Sequence, residues 1–443
     1  MISLNAIKYT LQHLLNVALP TADNSSIEVL LADGYVYFSL FEIEISIPLF
    51  NATQFKLFLK GEAQISLINN FQNRYKIPVF FINNTELPFS IKGSNIIFSY
   101  DIITPSFALM SRLEEYSNPD NRDKHGRFLF SSSLSERYSI IDIPLVDEYA
   151  MFIRKALTEI CKDKISIIPR KPNIIQTHDI DILQRFRTNV QALKSIFGRD
   201  LLINHSISDT KTSLSQYKSW KNSCYKDPYI KQIFDFQDIA KKQNRKVIFF
   251  FKAQTTGEND ATYNIFDELT KNVICRILEA GGEVALHGSY ESAISRNLLL
   301  TEKHRLADVA KISITTSRQH YLRSQISKQI NSVEIWESAG IENDYTLGFP
   351  EHCGFKCGTC HPYPLYNLLE DRSSNIVEHP LIMMDGTIFD YMKLSVDKAK
   401  ILIERLLQRV FAVEGDFVLL WHNHTTSRNY TRYYENLFVK FFI

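Results

Sequence analysis

Apolar and polar positions follow two different patterns along this chain of 443 residues. Up to about residue 165, apolar residues alternate with polar ones or run together at strand length. The clearest cases are Ile27-Glu-Val-Leu-Leu31, Tyr35–Leu40 and Ile43-Glu-Ile-Ser-Ile47, and each predicts a strand. Met1 to Leu19 has a helix-like pattern, as do Phe107–Tyr116 and Asp147–Cys161, while Asn118–Phe128 (NPDNRDKHGRF) is a polar loop. Pro169 and Pro172 bracket Arg170 and Lys171 and mark a boundary. The expectation is a smaller mixed α+β domain over residues 1–168.

From 169 to 443 the pattern changes to short apolar runs separated by helix-length segments. The runs lie at 174–178, 247–252, 283–287, 314–321, 345–349, 376–384 and 417–422. Amphipathic stretches between them include Asp235–Arg245, Phe266–Ala280 and Val396–Phe411. Seven alternating strand–helix units predict an α/β fold with a parallel sheet, closed or nearly closed into a barrel.

Composition narrows the function. Fifty basic residues stand against 49 acidic ones, so no strong field points to nucleic acid or anionic lipid. No stretch reaches the roughly 18 uninterrupted apolar residues of a membrane helix. The first 19 residues carry Lys8 and His13 without the charged-then-apolar order of a secretory signal, so a cytoplasmic protein is expected. Six cysteines, three of them at 353, 357 and 360, do not form the spacing of a disulfide framework.

Chemistry gathers where the predicted strands end, the place where parallel barrels carry their reacting groups. Asp179-Ile-Asp181 follows the first run, His287 ends the third, His320 with Arg323 ends the fourth, and His422 ends the seventh. Two carboxylates one residue apart can divide two jobs: one holds a divalent cation while the other takes a proton from water. Alone, Asp-x-Asp equally describes a solvated turn or a helix cap.

Here a resemblance becomes specific. Residues 172 to about 435 resemble the polysaccharide deacetylase domain, a metal-dependent carbohydrate esterase fold with an incomplete (β/α) barrel. Thr177-His-Asp-Ile-Asp181 is similar to the aspartate pair that opens that family. The resemblance implies Asp179 as catalytic base and Asp181 as metal ligand. It implies His287, in Leu-His-Gly-Ser-Tyr, as the first metal histidine, and Arg323, in Tyr-Leu-Arg, as the arginine orienting the base. His422, in Leu-Leu-Trp-His-Asn, matches the late histidine that protonates the leaving group. Ser111–Tyr116, Asp123–Phe128 and Pro144–Glu148 resemble an accessory domain that precedes this catalytic domain in bacterial polysaccharide gene clusters.

The sequence departs from the family at one position. The usual second metal histidine, four residues after the first, is Glu291 here. Catalytic zinc normally takes three protein ligands plus water, so a third is needed. His320 is the preferred candidate and Glu291 the alternative. The implied cofactor is a divalent metal, zinc first. The implied activity is removal of acetyl groups from N-acetylated sugars in surface-polysaccharide assembly, with a carbohydrate as partner.

Other readings stand beside these. Arg318 competes with Arg323 for the site, and His424 reads as a supporting or surface residue. Cys353, Cys357 and Cys360, flanked by His352 and His361, fit a loop of reduced thiols, a structural zinc site, or least well an iron–sulfur motif. Trp421, Tyr363, Tyr366 and Phe355 suit either sugar stacking or the core. Two further function classes remain open at this point: a non-catalytic carbohydrate-binding protein on a degenerate deacetylase barrel, and a glycosyltransferase whose Asp-x-Asp holds a metal against a nucleotide sugar.

Overall fold

The computed structural model describes residues 2–22, 27–82, 87–162, 167–203, 205, 207–254, 257, 259–260, 263–424 and 433–443, without the side chains of 199 and 203. The predicted end of the strand-rich region, near residue 165, lies outside the described residues. Two compact units interleave along the chain. One comprises Met1–Asn173, Leu322–Met383 and Glu404–Phe417; the other comprises Ile174–Tyr321, Met384–Ile403 and Val418–Ile443.

The first unit opens with the helix Leu4–Ala18, capped by Ser3, whose hydroxyl accepts the Ala6 N–H at 3.0 Å. Its strands begin with β1 (Leu30–Ala32), β2 (Tyr35–Leu40), β3 (Ile43–Pro48), β4 (Ile65–Asn69), β5 (Lys76–Phe80), β6 (Phe89–Lys92) and β7 (Asn95–Phe98). Five of them pair in the order β1-β2-β3-β7-β6, antiparallel except for β3 with β7, while β4 and β5 pair antiparallel as a separate ribbon. In β2, Val36 and Phe38 are buried while their neighbours are less so, the period-two pattern that the sequence displays. The helix expected over 107–116 breaks in two, Ile103–Met110 and Leu113–Ser117. Arg112 sits at the break with φ of +56°, and its buried guanidinium reaches Ser324 Oγ at 3.1 Å and Glu115 at 3.8 Å. Those buried partners hold the residue in a conformation that helical periodicity cannot foresee.

The second unit carries the parallel strands β8 (Asn173–Ile180), β9 (Val247–Phe251), β10 (Glu283–Gly288) and β11 (Thr316–Gln319). In β9, Val-Ile-Phe-Phe-Phe is buried throughout, as a strand covered on both faces requires. β11 is the reverse case: Thr-Ser-Arg-Gln is polar and wholly buried. The helices Pro228–Lys242 and Glu268–Glu279 overlap two of the predicted amphipathic stretches, and Val396–Ala412, which begins in this unit, covers the third. The first of these starts seven residues before the expected Asp235, because Asp227 caps it and Pro228 occupies its first turn. Between β8 and β9 the chain also forms Asn189–Leu193, a π-helical Lys194–Ile203 and Ile207–Asn222.

The remaining strands are β12 (Asn343–Asp344), β13 (Tyr363–Asn367), β14 (Arg372–Glu378), β15 (Leu381–Met384) and β16 (Asp416–Leu420). Nine strands, β8 to β16, belong to one sheet, and their order has two ends, as in an incomplete barrel. Two predicted runs change. Residues 345–349 are not a strand, because Asp344 accepts the Thr346 N–H at 3.0 Å and its hydroxyl at 2.7 Å, turning the chain. The run 376–384 divides into β14 and β15 at His379-Pro380, where proline has no N–H to give a ladder. No described helix is long and apolar enough to cross a membrane.

Candidate metal centre and active site

Strand register places the site. Ile180 lies opposite Phe251, Phe251 opposite Leu286, and Leu286 opposite Ser317. The next step along each strand is therefore a row of four charged or ionisable residues: Asp181, Lys252, His287 and Arg318. Gly288 follows His287 for a steric reason. A Cβ there would come within 2.3 Å of the side chain of the wholly buried Gln319, on the neighbouring strand. Beyond β11, Tyr321 takes φ of +61° and turns the chain directly after His320.

Three side chains of this row and its flank converge. One ligand-capable atom from each of Asp181, His287 and His320 lies within 4.8 Å of the other two. Both rings have a fixed orientation. His287 Nδ1 is 3.0 Å from the Arg318 carbonyl, which can only accept, so that nitrogen carries the proton. His320 Nδ1 lies 3.1 Å from Asp260 Oδ1, a carboxylate that also accepts the Tyr290 N–H at 3.0 Å. In the neutral form, each ring then turns an Nε2 lone pair inward, the arrangement of a histidine ligand held by an outer carboxylate or carbonyl.

The inward atoms meet each other badly unless a cation joins them. His287 Nε2 is 3.4 Å from Asp181 Oδ1 and 3.5 Å from Asp179 Oδ2, and His320 Nε2 is 3.5 Å from Asp181 Oδ1. His287 Nε2 and Asp181 Oδ1 are buried atoms with no hydrogen-bond partner. Two imidazole nitrogens and one carboxylate oxygen are a donor set that suits zinc, so the residues fit the implied ion. Lys252 complicates the fit. Its ammonium pairs with Asp181 Oδ1 at 2.8 Å, outside hydrogen-bond geometry, and is 2.9 Å from His320 Nε2.

Asp179 and His422 complete the constellation. Arg318 Nη1 donates to Asp179 Oδ1 at 2.9 Å and to Thr177 Oγ1 at 2.8 Å. Burial opposes ionisation of Asp179, but His287, Arg318 and His422 outweigh it and hold the carboxyl below the usual range. Asp181 lies lower still, because Lys252, His320 and His287 together overcome burial. His422 stands two residues past β16. Its Nδ1 is 2.7 Å from Asp385 Oδ1, its backbone N–H donates to Asp385 Oδ2 at 2.9 Å, and its Nε2 is 3.5 Å from Asp181 Oδ2. Burial favours the neutral ring, yet Asp385, Asp181 and Asp179 lift its pKa to about 9. Near neutral pH it is an imidazolium.

Of the residues expected from sequence, Asp179, Asp181, His287, His320 and His422 come together. The arginine on Asp179 is Arg318; Arg323 donates through Nε to the His125 carbonyl at 3.0 Å. Glu291 is exposed at the start of the Ser292–Ile294 turn, and His320 takes the third place in the trio. His424 lies beside His422, with ring centroids 5.2 Å apart. Trp421, Tyr363, Tyr366 and Phe355 are buried. Cys353, Cys357 and Cys360 are buried thiols outside any disulfide. Cys360 donates its S–H to Asp147 Oδ2 at 3.2 Å, and Asp147, Cys360 and His361 form a second compact trio. Lys252, Asp260 and Asp385 were not anticipated. Lys252 carried a signal, as a charge directly after five apolar strand residues.

Comparison with known proteins adds a fold-level likeness. A family model described only as a family of unknown function (DUF7033) matches residues 2–162. No curated protein matches. Among solved structures, a Mycobacterium smegmatis protein provisionally named a polysaccharide deacetylase is similar at 17% identity, with a TM-score of 0.36, over 58% of this chain and 79% of its own. A CE4 family pseudoenzyme from Bacillus anthracis is similar at 10% identity with a TM-score of 0.30, and a 4-alpha-glucanotransferase from Thermococcus litoralis at 15% with 0.33; each match covers 62% of this chain. The chain spans 61% of the pseudoenzyme's length and 37% of the glucanotransferase's. At these identities the likeness concerns the fold alone.

Proposed function

We propose that this protein is a metal-dependent hydrolase that removes acetyl groups from N-acetylated sugars. The supporting observation is the meeting of Asp181, His287 and His320, with the inward atoms of Asp181 and His287 left without hydrogen-bond partners. Held by those three residues, a divalent cation, zinc first, would act as a Lewis acid on an amide carbonyl.

The chain's own groups divide the remaining work. Asp179, kept ionised by His287 and Arg318, takes a proton from the attacking water as its oxygen bonds to the acetyl carbon. His422, charged and oriented by Asp385, gives a proton to the amine nitrogen as the C–N bond breaks. Acetate and a free amine result. Asp260 and the Arg318 carbonyl hold the two histidine rings in place. Residues 1–168 serve as an accessory domain in this reading, and the protein acts in the cytoplasm on precursors of a surface polysaccharide.

One specific observation favours a second reading, a carbohydrate-binding protein without catalysis: the Lys252 ammonium lies among the metal-ligand atoms. Acetate release from a broad panel of N-acetylated saccharides, with zinc supplied, separates the two. The hydrolase reading expects release by wild type and a fall of about 10²–10⁴-fold in Asp179→Asn with metal content unchanged. Release equal in the two proteins, or none from wild type on any substrate, rules it out.

A further inference from the structure

We infer that Lys252 is a tethered cation competing with a divalent metal for Asp181 and His320, and thereby weakening metal affinity. The inference rests on the metal-site reading above and goes further, to how strongly that site is loaded. Its basis is geometric. The Lys252 ammonium lies 2.8 Å from Asp181 Oδ1 and 2.9 Å from His320 Nε2, two of the atoms that form the trio.

Of those two atoms, His320 Nε2 has a single lone pair to offer the site. His320 spends Nδ1–H on Asp260, so Nε2 can accept from an ammonium or bind a metal, but not both at once. A metal ion binds such atoms at about 2.0–2.2 Å. An ammonium retained at its present distance would then stand within a few ångströms of a dication in a buried site, where like charges repel strongly. Metal entry therefore requires the ammonium to leave.

Leaving is costly, because the ammonium gives up Asp181 and His320 inside a buried site whose other nearby charge includes the Asp260 carboxylate. The residue is 3% exposed. Its backbone is fixed, since Lys252 N–H donates to Tyr263 Oη at 2.9 Å and that hydroxyl donates to the Ile180 carbonyl at 2.8 Å. Only the flexible stem can move, and a displaced ammonium loses two partners in a poorly solvated place. The same charge stabilises the metal-free site, where it pulls the Asp181 carboxyl down and offsets the clustered carboxylates. The device trades affinity for a site already assembled before metal arrives.

Calorimetric titration with Zn²⁺ alone, on chelator-treated full-length protein at one pH, tests this. Lys252→Met, which keeps stem length and removes the charge, is expected to bind zinc at least 10-fold tighter than wild type. Lys252→Arg, which keeps the charge, is expected to bind no tighter than wild type. In the metal-free state Lys252→Met should melt below wild type, and zinc should raise its Tm by more. Should Lys252→Met unfold without metal, Lys252→Gln, which removes the charge and keeps a hydrogen-bonding end, takes its place in the titration with the same expected gain. Equal or weaker zinc binding by Lys252→Met overturns the inference and leaves the metal-site reading standing. Zinc binding by Lys252→Met alone supports the inference and removes metal-dependent catalysis from wild type. Binding by neither protein overturns both.

Discussion

Carboxylates buried in the first compact unit and the pair at the candidate site of the second meet opposite fates. In the first unit, burial pushes Glu114 up to about 8, Glu148 to about 7 and Asp101 to about 6, although each accepts hydrogen bonds that work the other way. In the second, Asp179 and Asp181 face the same penalty and are held below the ordinary range by cations. Burial does not separate the two groups; the supply of positive charge does. Glu115 confirms the rule from inside the first unit. It is buried beside Glu114, yet Lys356 and Arg112 outweigh burial and lower it. The difference marks a site: two carboxylates one residue apart, held ionised by Arg318, Lys252 and the His422 imidazolium, serve chemistry more readily than packing.

The largest test of that contrast removes the cation from a site carboxylate. Arg318→Met leaves Asp179 buried with one partner fewer, and breaking such a pair costs about 3–5 kcal/mol. Thermal melts should show that loss of stability, and the acid limb of the pH–activity profile should move to higher pH. Arg323→Ala should leave the acid limb where it is, because Arg323 donates to the His125 carbonyl. Equal effects from the two variants would return the orienting role to Arg323.

Removing the carboxylate behind His422 is the next test. With Asp385 gone, the ring loses the first of the charges that lift it to about 9. An acid catalyst works while protonated, so activity of Asp385→Asn should fall at lower pH than wild type, with an about 10-fold deficit on the alkaline side. An unmoved alkaline limb would show that another group sets it.

The remaining test belongs to the first unit. Folded Glu114 keeps its proton up to about pH 8, whereas an ordinary glutamate releases it near 4.5. Its contribution to stability is complete below pH 4.5 and is lost as pH rises through 8. Gln at this position carries no such loss. Denaturant unfolding at several pH values should show Glu114→Gln gaining on wild type by about 1.4 kcal/mol per pH unit between 5 and 8. A pH-independent difference would mean that Glu114 ionises without cost in the fold.

Much of this was legible in the chain itself. β9 and β10 are short apolar runs with abrupt ends, and Asp179, Asp181 and His287 stand at such ends because parallel strands deliver side chains there. Period two could also have chosen Arg318, which faces Thr177 and Asp179, themselves two residues apart on β8. Asp385, directly after Met384 at the end of an apolar run, carries the same strand-end mark as Lys252. Asp260 sits in an irregular loop and leaves no such mark. The break at Arg112 and the raised carboxyl pKa values of the first unit depend on distant neighbours, which no window of sequence contains.

The Tyr263 hydroxyl bridges Lys252 N–H and the Ile180 carbonyl just where β8 and β9 end. A single oxygen atom thus acts as a spacer in place of a direct rung, and two strands that run side by side part by the width of a phenol oxygen. The point where β8 and β9 stop pairing, and from which Asp181 and Lys252 enter the site, is thus spanned by a residue that gives the metal trio no atom.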